Sequence, residues 1–384
     1  VMDLPTVSSA TPTLAEVTPS ALAALGVAGF TDTLGFGQRS RVCVLLIDGL
    51  GWELLAAHAS DAPVLSGLPG KPLRAGYPAT TAAGLAAIGT GTASGEHGFV
   101  GYTFDLPGVG VLNALRWREH PGGGDLRERV SPAEVQRLPT TFARATEAGL
   151  TATVVSSEIF AGTPLTRAVL SGGSYVGVHA LGDLVAAVPV ALRSRGSFCY
   201  AYHGDLDRLG HLHGPGSVPW RMQLRQVDRL VESMIEQMPK GSALAVVADH
   251  GMTTLDRDTG SQGGVIDADT EPALADGVRA IAGEVRARHV YAENGAATDV
   301  LATWREMLGD RAWVVRRHEA VDAGWFGPVV ADHVLPRIGD VVVAARGRSG
   351  VVRSVKEPQE TALVGQHGSL TPEEQFVPFV LAEV

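Results

Sequence analysis

Two short stretches constrain this chain more than any other: VCVLLIDGLG at residues 42–51 and ALAVVADHGM at residues 243–252. In each, six mostly apolar residues, enough for a fully buried strand, run straight into an aspartate. The first delivers Asp48; the second delivers Asp249 with His250 beside it. After Asp48 the sequence GLGWELLAAHA takes up helical spacing. A strand that ends in Asp and turns into a helix sets its carboxylate at the carboxyl edge of a sheet, where open α/β sheets bind ligands. One such Asp is well explained as a helix N-cap. Two of them at one edge, the second with an adjacent imidazole, point to metal chemistry.

Strand and helix patterns alternate through much of the chain. Residues 140–148, 181–193 and 218–237 have helical spacing, while 151–155 and 198–202 read as strands. This alternation argues an α/β fold with a largely parallel central sheet and helices on both faces. The 384 residues are expected to form a single catalytic domain, 1–384. A strand–helix–strand pattern over 285–292, 296–308 and 312–315 suggests a small inserted α+β cap subdomain within 259–350. Residues 340–345 and 351–355 read as a hairpin around Gly347 and Gly350, and 65–76 as a Pro/Gly-rich loop. Residues 105–138, rich in Gly, Pro and Arg and containing Trp117, read as an irregular excursion over the surface.

The formal net charge is −10 and no basic tract is present, which gives no support to a nucleic-acid polymer or an anionic membrane as partner. An acidic protein can still take phosphate substrates if bound cations reverse the sign locally. The first residues lack a basic region followed by an apolar core, and no apolar run reaches the ~18 residues that span a bilayer. Cys43 and Cys199 lie in apolar, strand-like runs and read as buried thiols, not as a disulfide framework. The expectation is a cytoplasmic protein, unless a leader has been removed. Oligomeric state is left open.

The remaining chemistry falls in three places. Thr80 and Thr81 open a helical stretch that closes at Gly89. Asp207 and His211 stand four apart in YHGDLDRLGH, so one helical turn puts both on one face. His367 lies in GQHG near the end. Carboxylates and imidazoles without thiolates suit Zn²⁺ or Mn²⁺. There are enough ligands for two ions, which at ~3.5–4 Å can bind the attacking and leaving oxygens of a displacement at phosphorus. A threonine hydroxyl is a poor nucleophile at neutral pH, and coordination to a metal would activate it without a separate general base. His213 is close enough to His211 to support it from behind.

With LLIDGLGW, YPATTAAGLAAIGTG, DLDRLGHLHGPG, VVADHGM and GQHG in place, the chain resembles the alkaline phosphatase superfamily, specifically its type I phosphodiesterase/nucleotide pyrophosphatase branch. The motifs run from residue 42 to residue 368. The resemblance implies two zinc ions, one held by Asp48, Asp249 and His250 with Thr81, the other by Asp207, His211 and His367. It implies Thr81, in preference to Thr80, as the nucleophile that passes through a phospho-threonine intermediate, with a small-molecule phosphate ester as substrate. Where that branch usually carries an Asn that binds a non-bridging phosphoryl oxygen, this chain has Tyr102, whose hydroxyl is expected to donate the same bond. The expected activity is that of a phosphodiesterase or nucleotide pyrophosphatase; a phosphomonoesterase or phosphonoacetate hydrolase on the same site is the alternative. A cofactor-independent phosphoglycerate mutase would use Ser and a larger insertion. A non-enzymatic binding protein would be expected to lose ligands or nucleophile.

Overall fold

The computed structural model describes residues 4–6, 11–257 and 264–384. Its centre is a seven-stranded sheet in the order Gly70–Arg74, Phe376–Glu383, Ser242–Val247, Arg41–Ile47, Ser197–His203, Thr151–Ser157, Ser174–Val178. The strand that ends at Asp48 lies in the middle, paired in parallel with the strand before Asp249 on one side and the strand before Asp205 on the other. Apart from its first residue every position of this strand is buried, as a run of Val, Cys, Leu and Ile with helices on both sides requires. Only Phe376–Glu383 runs against its neighbours.

Helices cover the sheet in two groups. Val218–Gln237 packs with Leu181–Ala191, Pro63–Gly67 and Asp205–His213; Thr81–Thr90 packs with Val17–Ala24, Thr141–Glu147 and Pro164–Val169. Cys43 and Cys199 are opposite each other on neighbouring strands, both buried as free thiols. No described helix is long and apolar enough to cross a membrane.

A second, four-stranded antiparallel sheet is built from Val278–Glu284, Ala287–Ala292, Val341–Ala345 and Ala312–Arg316 in that order, with the helix Ala297–Leu308 against it. It has its own small core around Trp304, Val314, Val341 and Val343. Of the span 259–350 suggested for an inserted unit, residues 259–263 lie outside the described residues.

Three local expectations are corrected. Residues 340–345 and 351–355 do not form a hairpin. Val341–Ala345 is flanked on both sides by strands of the small sheet, so it has no free edge, and Gly350–Val352 pairs with Val265–Asp267 instead. Within 65–76, Gly70–Arg74 is an edge strand. Pro72 sits directly opposite Pro378 there, so the two residues without an N–H face each other and neither breaks a bond of the ladder. Finally, 105–138 is not merely irregular surface. Thr103–Leu106, Gly110–Asn113 and Arg118–Glu119 form a three-stranded sheet, and Trp117 is fully buried, its indole N–H donating to the Val130 carbonyl at 2.9 Å.

Candidate metal centre

The carboxyl ends of three parallel strands meet at one point. The strand Arg41–Ile47 presents Asp48, Ser242–Val247 presents Asp249 and His250, and Ser197–His203 leads through Gly204 into the helix Asp205–His213. That helix carries Asp207 and His211 on one face, as their spacing requires; His211 Nε2 lies 3.4 Å from Asp207 Oδ2. His367 enters from the loop after the short strand Gly365–Gln366, and its ring stacks on His250 at 3.6 Å between centroids.

Ligand atoms of Asp207, His211 and His367 lie within 4.8 Å of one another, and so do those of Asp48, Asp207 and His250. Asp207 therefore belongs to both groups. Asp249 joins the second through its Oδ2, 3.7 Å from His250 Nε2, while Asp48 Oδ1 is 3.3 Å from the same nitrogen. Thr81 is the first residue of the helix Thr81–Thr90, and its hydroxyl lies 3.3 Å from His250 Nε2.

The donor set fits metal cations on three counts. Asp48 Oδ1, Asp207 Oδ1 and Asp249 Oδ2 are buried without a hydrogen-bond partner. Among the described residues none of these three aspartates has an Arg or Lys ion-pair partner; their recorded partners are imidazoles. And each imidazole commits its Nδ1–H to a backbone carbonyl: His211 to Gly365 at 2.8 Å, His250 to Gly251 at 2.9 Å, His367 to Ala79 at 2.8 Å. Locking Nδ1 in this way fixes the tautomer and aims the Nε2 lone pair. His211 Nε2 and His367 Nε2 then face each other at 3.3 Å, an arrangement of two acceptors that a cation stabilises.

Electrostatics point the same way. Burial, reinforced by the charge of Asp48, pushes the carboxyls of Asp207 and Asp249 well above the ordinary range. Asp48 is held below it: desolvation is outweighed by hydrogen bonds from His250 and Tyr202. His250 is raised well above the usual imidazole range, because Asp249, Asp48 and Asp207 outweigh the desolvation of its ring. A site in which three carboxylates compete for the proton of one imidazole is short of positive charge, which divalent cations supply.

Beside the cluster is a cavity of about 330 Å³ whose lining includes Thr80, Thr81, Tyr102, Arg116, Glu284 and Glu360. Tyr102 is therefore in the same pocket as Thr81, but its hydroxyl is engaged. It accepts from Asn113 Nδ2 at 2.6 Å and donates to Glu360 Oε1 at 3.2 Å. Asn113, Glu284 and Glu360 were not singled out from the sequence. Glu284 arrives from the small sheet, and burial pushes its carboxyl up to about 8 against the opposing effect of the Thr80 side chain and His250. Nothing in one sequence marks a Glu at a hairpin tip as facing a site two hundred residues away. His213, expected behind His211, is exposed.

A model of the type I phosphodiesterase / nucleotide pyrophosphatase family matches residues 42–370. The chain belongs to this family. Among curated proteins, human ectonucleotide pyrophosphatase/phosphodiesterase family member 7 is 39% identical over 64 residues, 15% of this chain and 14% of that protein. The catalytic subunit of human GPI ethanolamine phosphate transferase 3 is 33% identical over 74 residues, 19% of this chain and 6% of that protein. The matched stretches thus span a small part of each relative. Similar solved structures include an inactive form of murine ectonucleotide pyrophosphatase/phosphodiesterase 5 in complex with AMP, with TM-score 0.69, 15% identity, and coverage of 90% of this chain and 88% of that one. Phosphonoacetate hydrolase from Sinorhizobium meliloti 1021 in complex with phosphonoformate has TM-score 0.65, 21% identity and coverage of 90% of both chains. At these identities the likeness is one of fold, and it extends over nearly the whole of this type I phosphodiesterase-family chain.

Proposed function

We propose that this protein hydrolyses phosphoric esters, most readily diesters or nucleotide pyrophosphate linkages, with Thr81 as nucleophile and two zinc ions as cofactor. The observation that carries the reading is the convergence of Asp48, Asp207, His211, Asp249, His250 and His367 with the Thr81 hydroxyl at one end of the parallel strands. When bound, the cations supply Lewis-acid stabilisation of the phosphoryl oxygens and lower the pKa of the nucleophile. Asp48, Asp249 and His250 would hold one of them, Asp207, His211 and His367 the other; Mn²⁺ suits the same donors.

The chain's own contribution is placement. Gly84 N–H makes the first bond of the Thr81–Thr90 helix, to the Thr80 carbonyl at 2.9 Å. The amides of the first turn therefore lie beyond the ladder, at the positive end of the helix, where a phosphoryl group is stabilised. Thr81 Oγ1 gives up its proton to solvent and forms the bond to phosphorus as the bond to the leaving-group oxygen breaks, and that oxygen takes a proton from water. Water then releases the phosphoryl group from Thr81. The 330 Å³ cavity accommodates a small-molecule ester.

The test is metal analysis together with a substrate panel. Protein purified without chelator should carry two zinc ions per chain, lose activity on exhaustive chelation and regain it with Zn²⁺. On the zinc-loaded enzyme, aryl phosphate diesters should be cleaved faster than the matching monoesters, phosphonates and sulfates. Well under one transition metal per chain would sink the reading. Monoesters or phosphonoacetate as best substrate would keep the site and replace the substrate class.

A further inference from the structure

Most of the candidate ligands are oriented by main chain. The three imidazoles are held by carbonyls, and Asp249 Oδ1 accepts from the backbone N–H of Gly49 at 3.2 Å and of His250 at 3.1 Å, which leaves Oδ2 for a cation. Asp48 differs. Its Oδ2 accepts a hydrogen bond of 2.5 Å from the hydroxyl of Tyr202, and its Oδ1 is left without a partner, 3.3 Å from His250 Nε2.

Sheet register makes this contact. Tyr202 is on the neighbouring parallel strand opposite Leu46, and its side chain reaches past Ile47 to the aspartate at the strand end. Two neighbours restrict it. The Phe160 ring meets the Tyr202 ring edge-on at 6.0 Å between centroids. A side chain at Gly204 would place its Cβ 2.7 Å from the Tyr202 hydroxyl, so glycine is what leaves the space. Among the described residues the hydroxyl's hydrogen bond goes to Asp48 Oδ2, so one of the two carboxylate oxygens is engaged and the other is free.

We propose that Tyr202 is a positioning residue for the metal held by Asp48 and His250, setting the affinity of that position and not of its neighbour. This rests on the two-metal reading above. The physical argument is that a charge-assisted O–H···O⁻ bond fixes the carboxylate rotamer and confines ligation to Oδ1. Without it Asp48 must be ordered by the metal itself. Outer-shell partners of this kind typically carry ~10–100-fold in metal affinity. Among the described residues, His211 and His367 are held at Nδ1 by the carbonyls of Gly365 and Ala79 and not by a side-chain hydroxyl, so the effect should be confined to one of two positions.

The experiment compares zinc retention by wild type and Tyr202→Phe, both loaded with Zn²⁺ and equilibrated against graded chelator, with metal per chain counted at each step. The phenyl ring keeps the packing against Phe160. The expected result is biphasic: one zinc leaves the variant at free-zinc levels ~10–100-fold higher than in wild type, and the other leaves where it does in wild type. Far-ultraviolet circular dichroism and the cooperativity of denaturant unfolding should be the same for the two metal-free proteins, which separates a lost ligand orientation from a damaged fold; the variant's midpoint falls modestly, because the buried Asp48 carboxylate has lost a donor. Two-zinc wild type with identical curves for Tyr202→Phe overturns the role of Tyr202 and leaves the two-metal reading intact. Equal weakening of both positions also overturns it. A wild type that holds no zinc overturns the two-metal reading instead, and the role of Tyr202 with it.

Discussion

Thr80 and Thr81 are adjacent in sequence and face different things. Thr80 is the N-cap, extended at φ −145°, and its side chain lies by Glu284; Thr81 opens the helix and puts its hydroxyl 3.3 Å from His250 Nε2. Thr81→Ala should therefore cost at least ~10³ in kcat, about 4 kcal/mol, with both metals retained. Thr80→Ala should cost far less, since the Thr80 side chain makes no bond to the helix end and the change removes only its contact to Glu284. Steady-state rates and metal content measured on both variants check this, and an inactive Thr80 variant beside an active Thr81 variant would move the nucleophile by one residue. Tyr102 poses a different question. Its proton is directed at Glu360 and its lone pair is taken by Asn113, so donation to a phosphoryl oxygen requires release of Glu360. We expect Tyr102→Phe to change KM more than kcat, with kcat falling less than tenfold. Loss of a donor to the developing charge would instead cost ~10²–10³ in kcat, and that result would restore to Tyr102 the part its position in the sequence suggests.

Among the elements, one part of the pocket wall is the segment from Glu357 to Gln366, and a buried network holds it. Glu357 Oε2 meets Arg288 at 2.7 Å, and its Oε1 meets His120 at 2.9 Å and Arg353 at 3.3 Å. Desolvation alone would raise the Glu357 carboxyl, but Arg288 and His120 hold it down to about 2, against an ordinary value of 4.5. A folded-state pKa below the unfolded one adds stability that is fully present above pH 4.5 and is lost as pH falls through about 2. The difference in unfolding free energy between wild type and Glu357→Gln should thus shrink by about 3 kcal/mol between those limits. A difference independent of pH across that window would remove the charged Glu357 from the account. Elements such as this one were the least legible in the sequence. The strands ending in Asp48 and Asp249 and the helix Val218–Gln237 could be read because continuous apolar runs and a 3.6-residue period leave few alternatives. The edge strand Gly70–Arg74 could not, because its proline is tolerated only through the register with Pro378, a long-range fact. The network around Glu357 joins residues from three separate segments and has no local pattern at all. Asp48, Asp249, His250, Asp207 and His211 could be brought together for the opposite reason: strand ends and a four-residue helical spacing carry them, while His367 comes from a loop, and the hydroxyl of Tyr202 and the carboxyl of Glu284 reach the site through register and a hairpin.

At the scale of the whole molecule, the candidate metal centre depends on how the small sheet is joined to the large one. Arg286, at the tip of the hairpin between Val278–Glu284 and Ala287–Ala292, is 1% exposed and meets the fully buried Glu374 with both arms of its guanidinium, Nε at 2.9 Å and Nη2 at 2.5 Å. Glu374 also accepts from the Ser369 N–H at 2.9 Å and the Thr371 hydroxyl at 2.5 Å, and its backbone carbonyl takes the N–H of Gly251 at 2.8 Å. One glutamate therefore ties the small sheet, the loop after His367 and the turn after His250. Removing one partner of a buried pair leaves an uncompensated charge in the interior, which costs ~3–5 kcal/mol. Arg286→Met keeps the length and apolar stem of the side chain and removes the guanidinium. It should lower the unfolding free energy of the metal-free protein by about that amount, measured by denaturant titration so that metal binding does not enter. The zinc-loaded variant should lose more, because the loops carrying His250 and His367 are ordered through the same carboxylate and metal bound to the native state adds its own linkage term. If Arg286→Met weakens the metal-free protein by under 1 kcal/mol and leaves zinc retention unchanged, the two sheets are joined without help from this ion pair, and the clamp between them is incidental to the site.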